Sequence, residues 1–240
     1  NIDLNGDVYW ATEGGHGSSP LLPATSKISK VVINGNGNTF TATGAGVGAI
    51  ALANGGTLEF NNVNIVDKSV SYDEGAWEFT YLEFAGNLVF NECTFNLAAG
   101  KYIWTYGSDE TEFNNCTFNT AGKAILVYNE GDGACKVKVD GCKFYASAAG
   151  FAGAIKNQAC AAVEIDNFQN PAGTNNGAAH KVTYTNTNIS DSNFSGGWVQ
   201  RGQYIGGMDF QRCRPTEYAY ASFDNVNDAR MWKTFKTVYG

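Results

Sequence analysis

The sequence lacks most of what a metal, membrane or nucleic-acid protein carries. It has two histidines, no CxxC pair and no Cys/His cluster, which excludes the usual zinc sites. No apolar run approaches the length of a membrane span, and no signal peptide is visible. Charged residues make up only 16%, and 16 Lys and Arg against 23 Asp and Glu leave a net charge of −7, which disfavours nucleic acid as a partner. The i, i+3, i+4 apolar stripe of amphipathic helices is also missing, which argues against helical repeats. The chain begins at Asn1 without Met and is expected to be a processed or trimmed product.

What the sequence does have is one phrase written twice: FNECTF from Phe90 to Phe95 and FNNCTF from Phe113 to Phe118. Looser copies start at Phe60, Val139, Ile189 and Phe223, and Ile33-Asn34 and Ile165-Asp166 fit its opening. Anchoring each copy on its first apolar residue gives positions 33, 60, 90, 113, 139, 165, 189 and 223, a drifting period of 23 to 34 residues. A period of this size means a repeat architecture.

The aligned columns have distinct chemistry. One step after the anchor stand Asn34, Asn61, Asn91, Asn114, Asp140, Asp166, Ser190 and Asp224. These short polar side chains suit a corner with left-handed backbone, and stacked amides bond one another up a column. Three steps after the anchor come Val63, Cys93, Cys116, Cys142, Ser192 and Val226, and five steps after it Ile65, Phe95, Phe118, Phe144 and Phe194. Both columns are expected to point inward, with the cysteines acting as small buried hydrophobes.

Strands with one buried face precede the anchors, as in Leu58/Phe60, Leu88/Phe90, Val137/Val139 and Val163/Ile165. A second strand per unit is predicted at 81–84, 103–106, 125–128 and 153–157. Two or three short strands per turn, separated by Asn and Gly corners, make a parallel β-helix.

The whole chain resembles a right-handed parallel β-helix of the pectin-lyase-like superfamily, and Ile28 to Phe40 resembles the first full coil of such proteins. The FNNxxF phrase and the GAI phrases at Gly48 to Ile50 and Gly153 to Ile155 are also similar to repeats of bacterial polymorphic outer-membrane proteins. The resemblance covers residues 28–227 and implies an all-β, single-stranded solenoid of about eight coils, on the order of 40 Å long. Residues 1–27 are read as an N-terminal strand and loop, and 228–240 as a C-terminal cap or intermolecular joint built on Met231, Trp232, Phe235 and Tyr239.

No catalytic set of the superfamily can be carried over. Gly15-His16-Gly17 resembles a polygalacturonase phrase, but the paired aspartates and the Arg-x-Lys phrase are absent. The acidic stretch around Asp67, Asp73 and Glu74 reads as a solvated loop leaving the rod.

If Leu82, Ile103, Thr105, Ile125 and Val127 point inward, alternation sends Tyr81, Glu83, Trp104, Tyr106, Tyr128 and Lys156 outward on one stacked face. Such an aromatic strip is costly to leave wet, so it should be covered by a loop, a neighbouring subunit or a glycan. These residues are the expected binding surface.

The expected function is a non-enzymatic structural or adhesive module, extracellular, on a cell surface or virion. Its partners would be copies of itself, a larger surface assembly or a glycan, with no cofactor and no metal. The competing class is a polysaccharide lyase or glycoside hydrolase of the pectin-lyase-like fold. It would use outward carboxylates such as Glu83 and Asp109.

Overall fold

The computed structural model describes residues 1–12, 19–20, 28–44, 48–51, 56–68, 80–85, 87–97, 101–105, 110–120, 124–127, 136–146, 163–166, 180–185, 203–205, 208–211 and 219–224. Within them every regular element is a β-strand. No helix among the described residues is long and apolar enough to cross a membrane, which says nothing of a β-barrel.

The described strands form three sheets, of eight, six and eight strands. The chain visits them in the same cyclic order. Lys30–Asn34 lies in the first sheet, Thr39–Gly44 in the second and Gly48–Ala51 in the third, and then Thr57–Asn61, Asn64–Asp67 and Thr80–Ala85 repeat the circuit. Each strand pairs in parallel with its counterpart one circuit away, as Phe60 does with Ile33 and Phe90. Among the described residues the one antiparallel pair joins Gln203–Ile205 to Met208–Gln211. Parallel strands in stacked sheets, visited in rotation, fit a parallel β-helix.

Residues 1–27 contribute a strand to each sheet. Ile2–Asp3 pairs with Ile33-Asn34, Val8–Thr12 with 40–44, and Ser19-Pro20 with Gly48-Ala49.

The repeated phrase is the corner between the first and second sheets. Its anchors stack in register as Ile33, Phe60, Phe90, Phe113 and Val139, and Phe60, Phe90, Phe113 and Val139 are fully buried. Phe95, Phe118 and Phe144 form a second column in the second sheet. Rings stack within each column, with centroids 5.2 Å apart for Phe90 and Phe113 and 4.6 Å apart for Phe95 and Phe118. Between columns they meet edge to face, as Phe113 does with Phe118 at 5.2 Å. Both geometries suit the ring quadrupole.

Cys93, Cys116 and Cys142 are free, buried thiols in a common file, with Cys116 N donating to Cys142 Sγ at 3.3 Å. Each thiol also points at the anchor carbonyl of the preceding circuit: Phe60, Phe90 and Phe113 respectively.

The asparagines one step past the anchor form a ladder. Asn34 donates to Asp3 Oδ1 (2.7 Å), Asn61 to Asn34 Oδ1 (3.1 Å), Asn91 to Asn61 Oδ1 (2.8 Å) and Asn114 to Asn91 Oδ1 (3.0 Å).

The left-handed backbone falls one position later than expected, at Asn62, Glu92, Asn115 and Gly141, with φ of 51°, 56°, 55° and 63°. The chain reverses after the ladder residue, which must keep extended geometry to hold its amide over the one below. In the first full circuit the corner is longer, and Asn36 and Gly37 take positive φ instead.

The sequence also misplaces one circuit. Val163–Asp166 belongs to the third sheet, where Val163 pairs with Ile125, and not to the anchor column of the first. The first-sheet partner of Lys136–Asp140 is His180–Thr185, placing Tyr184 opposite Val139, followed by Phe223 opposite Tyr184. The alternation of Val163 and Ile165 satisfies any sheet with one face inward, so period alone does not assign it. The phrase at Ile189 and the expected strand at 153–157 lie outside the described residues.

Candidate binding surfaces

The outward faces of the three sheets differ in chemistry. On the first sheet alternation is regular: Leu58, Phe60, Leu88 and Phe90 are buried, while Glu59, Val89, Glu112 and Lys138 face out. That face is charge-paired. Lys30 Nζ meets Glu59 Oε2 at 2.7 Å, and Lys138 bonds Glu110 and, at 3.2 Å, Glu112. The lysine bonds hold the Glu59 and Glu110 carboxyls below the usual range, and Glu110 in turn raises Lys138.

The third sheet carries the residues expected to bind. One register file runs Leu82, Ile103, Ile125, Val163 and Met208, with Ile103, Ile125 and Val163 buried in the core, and the next, the outer column at Trp104 and Leu126, runs Glu83, Trp104, Leu126, Glu164 and Asp209. Tyr81 registers with Tyr102. Ile103, Thr105, Ile125 and Val127 are fully buried, as alternation requires, and the Thr105 hydroxyl donates to the Leu126 carbonyl at 3.2 Å.

The outer column is not open. Trp104 is 6% exposed, Leu126 7% and Tyr102 2%. At Trp104 the cover comes from within the chain itself, one of the three covers expected for this strip: the strand is buried on both sides. Bulky rings on a wet face are costly, and here that cost is relieved without a partner. Tyr81 and Glu83 lie in the strand Thr80–Ala85, with their side chains outside the described set. Tyr106, Tyr128 and Lys156, and likewise Met231, Trp232, Phe235 and Tyr239, lie outside the described residues, as do Asp109, His16, Asp73 and Glu74.

Asp67 also departs from expectation. It ends the strand Asn64–Asp67 and is 3% exposed, not part of a solvated loop. Lys101 Nζ lies 4.0 Å from its Oδ1, at the start of the strand Lys101–Trp104. Burial pushes the Lys101 ammonium below its usual value, and the Asp67 charge opposes that shift. The pair, with Asp67 buried and Lys101 half-buried, links the second sheet to the third.

The second sheet has the more open face, although Thr41 in it is buried. Its outer column runs in register Tyr9, Thr41, Val66, Asn96, Asn119 and Tyr145. Beside it run Thr39, Asn64, Thr94, Thr117 and Lys143. Asn119 Nδ2 donates to Asn96 Oδ1 at 2.9 Å on the exposed surface, and the two tyrosines at the ends are 72% and 45% exposed. Sequence reading missed this column because its members are single polar letters inside the repeated phrase. The signal was present, since TFN follows the cysteine in both full copies.

The sequence also missed that Glu164 and Asp209 share a register position on neighbouring strands, since it placed Val163–Ile165 in another sheet. Among the described residues no group of three His, Cys, Asp or Glu is arranged to hold a metal ion. Comparison with protein-family models, with curated proteins and with solved structures finds no match to this chain.

Proposed function

We propose that this chain is a right-handed parallel β-helix of about eight coils, of the pectin-lyase-like type. In this reading it is a non-enzymatic structural and adhesive module outside the cell, at a cell or virion surface, where it engages neighbouring subunits or glycans. The observation that carries the reading is that the repeated phrase is consumed by architecture. Its Phe rings stack, its Asn amides bond the circuit below and its Cys thiols point at interior carbonyls. A catalytic constellation needs polar groups converging on a substrate, and these polar groups converge on one another.

The test is direct. Purified protein incubated with neutral and acidic polysaccharides is expected to release neither new reducing ends nor unsaturated products, while sedimentation or glycan binding reveals association. Product formation at enzymatic rates would overturn the reading.

One observation favours the second reading, a carbohydrate-active enzyme: Glu164 and Asp209 are adjacent in one column, with Glu83 further along it. Glycoside cleavage needs two carboxyl groups across the bond. If that reading holds, any activity found should be abolished by Glu164→Gln and Asp209→Asn.

A further inference from the structure

Among the described side chains, the large hydrophobic groups that stand exposed are Ile2, Tyr9, Ile28 and Tyr145. Two of these four terminate the same outward column of the second sheet. Five strand steps separate them, or roughly 24 Å at the usual spacing of stacked strands. Between them lie Thr41, which is buried, then Val66 and the bonded amides of Asn96 and Asn119, the last two flanked in the neighbouring column by Thr94 and Thr117.

We propose that this face binds a linear, uncharged polysaccharide lying along the stacking direction. Its sugar rings rest on Tyr9 and Tyr145, and its hydroxyls bond the Asn and Thr groups between them. The proposal rests on the surface-module reading and gives it a ligand class and a site.

Three features carry it. The chemistry is that of alcohol recognition: amides and hydroxyls offer both donors and acceptors, as sugar hydroxyls do. The bond from Asn119 Nδ2 to Asn96 Oδ1 orients the pair, so that Asn96 presents amide hydrogens and Asn119 its carbonyl oxygen.

The charge pattern selects a neutral polymer. From Thr39 to Lys143 the two columns contain one cation, Lys143, and no carboxylate. Asp7, beside Tyr9, is engaged with the Thr39 backbone N–H at 2.8 Å. An acidic polymer would need a row of cations, and the chain carries a net charge of −7.

The other two faces are occupied differently. The first sheet's face is laced with ion pairs, and the third sheet's outer column is buried at Trp104 and Leu126. The Thr94/Asn96 pair is repeated one strand on as Thr117/Asn119, and such repetition matches a repeating polymer better than an irregular protein surface.

The test uses the full chain and a set of neutral hexasaccharides (cellohexaose, laminarihexaose, xylohexaose and mannohexaose), with hexagalacturonate as the acidic comparison. Calorimetry should find binding to at least one neutral member, insensitive to salt. Tyr9→Ala and Tyr145→Ala should each weaken it about tenfold, the loss of one ring contact. The double variant Asn96→Ala/Asn119→Ala, on exposed positions, provides a second reading if a tyrosine variant misfolds, and should weaken binding comparably.

The proposal is overturned if no neutral hexasaccharide binds, if binding is unchanged in all variants, or if salt-sensitive binding of hexagalacturonate dominates. Sedimentation of the same samples separates the alternatives. Self-association lost in the tyrosine variants would make the face an interface between copies, overturning the glycan site but not the surface-module reading. Cleavage of a bound hexasaccharide would overturn the surface-module reading and leave the site standing.

Discussion

Glu92 occupies a backbone position that glycine or asparagine fills in the equivalent corners. At φ 56° it matches Asn62, Asn115 and Gly141, yet it has neither a short amide nor the freedom of glycine. A left-handed L-residue costs roughly 1–2 kcal/mol, and glycine in its place gives back about 0.5–1 through unfolded-state entropy. Glu92 is exposed and its replacement empties no core, so Glu92→Gly is expected to raise stability by about 0.5–1 kcal/mol in denaturant melts. Gly35 predicts the opposite sign. A Cβ there would strike the Asn62 carbonyl oxygen and the Val63 side chain, so Gly35→Ala should cost about 1–3 kcal/mol in the same measurement.

At the scale of elements, Asn91 sits mid-ladder, donating to Asn61 and accepting from Asn114. Asn91→Ala removes both bonds and leaves two partly buried amides short of a partner, an expected loss of about 1–3 kcal/mol by chemical denaturation. Lys101 makes a different prediction. Its folded value lies below the ordinary 10.5, so between the two values the unfolded chain holds more protons and stability rises with pH. Lys101→Met should remove that alkaline slope. It should also cost about 3–5 kcal/mol at neutral pH, because the Asp67 carboxylate stays buried without its cation.

Elements were also where the sequence was most and least legible. The phrase from Phe90 to Phe95 and its copy at Phe113 to Phe118 revealed the stacked columns, because each letter has a fixed place: ring inward, amide in the ladder, thiol inward. The left-handed residue slipped by one, because asparagine suits both corner positions and only geometry tells them apart. Val163–Asp166 was assigned to the wrong sheet because an alternating strand looks the same in any of the three. For Trp104 the sequence leaves three covers open for a related reason: alternation gives the direction of a side chain but not what lies over it. The Tyr9 to Tyr145 column required registers across five strand steps, which no single phrase encodes.

For the molecule as a whole, the thiol file reports on cooperative opening. Hydrogen bonding to Cys116 and burial push the Cys93 thiol far up, and burial with a bond to Cys142 does the same for Cys116. Neither sulfur reaches solvent unless neighbouring circuits separate, and stacked repeats share their stability with their neighbours. Alkylation followed by peptide mapping should therefore leave Cys93, Cys116 and Cys142 unlabelled in native buffer. All three should be labelled together across the guanidinium transition. Labelling of any one well before the transition would mean that the coils open singly.

The amide file has an arrow. From Asn114 to Asn34 every side chain gives its hydrogen toward the amino-terminal circuit, Asn91, Asn61 and Asn34 accept from the one that follows, and the series ends on the carboxylate of Asp3. Any strand laid against Asp3 meets an oxygen there, so at that level it must arrive bearing hydrogen. Two copies abutted at their Asp3 strands would therefore set carboxylate against carboxylate.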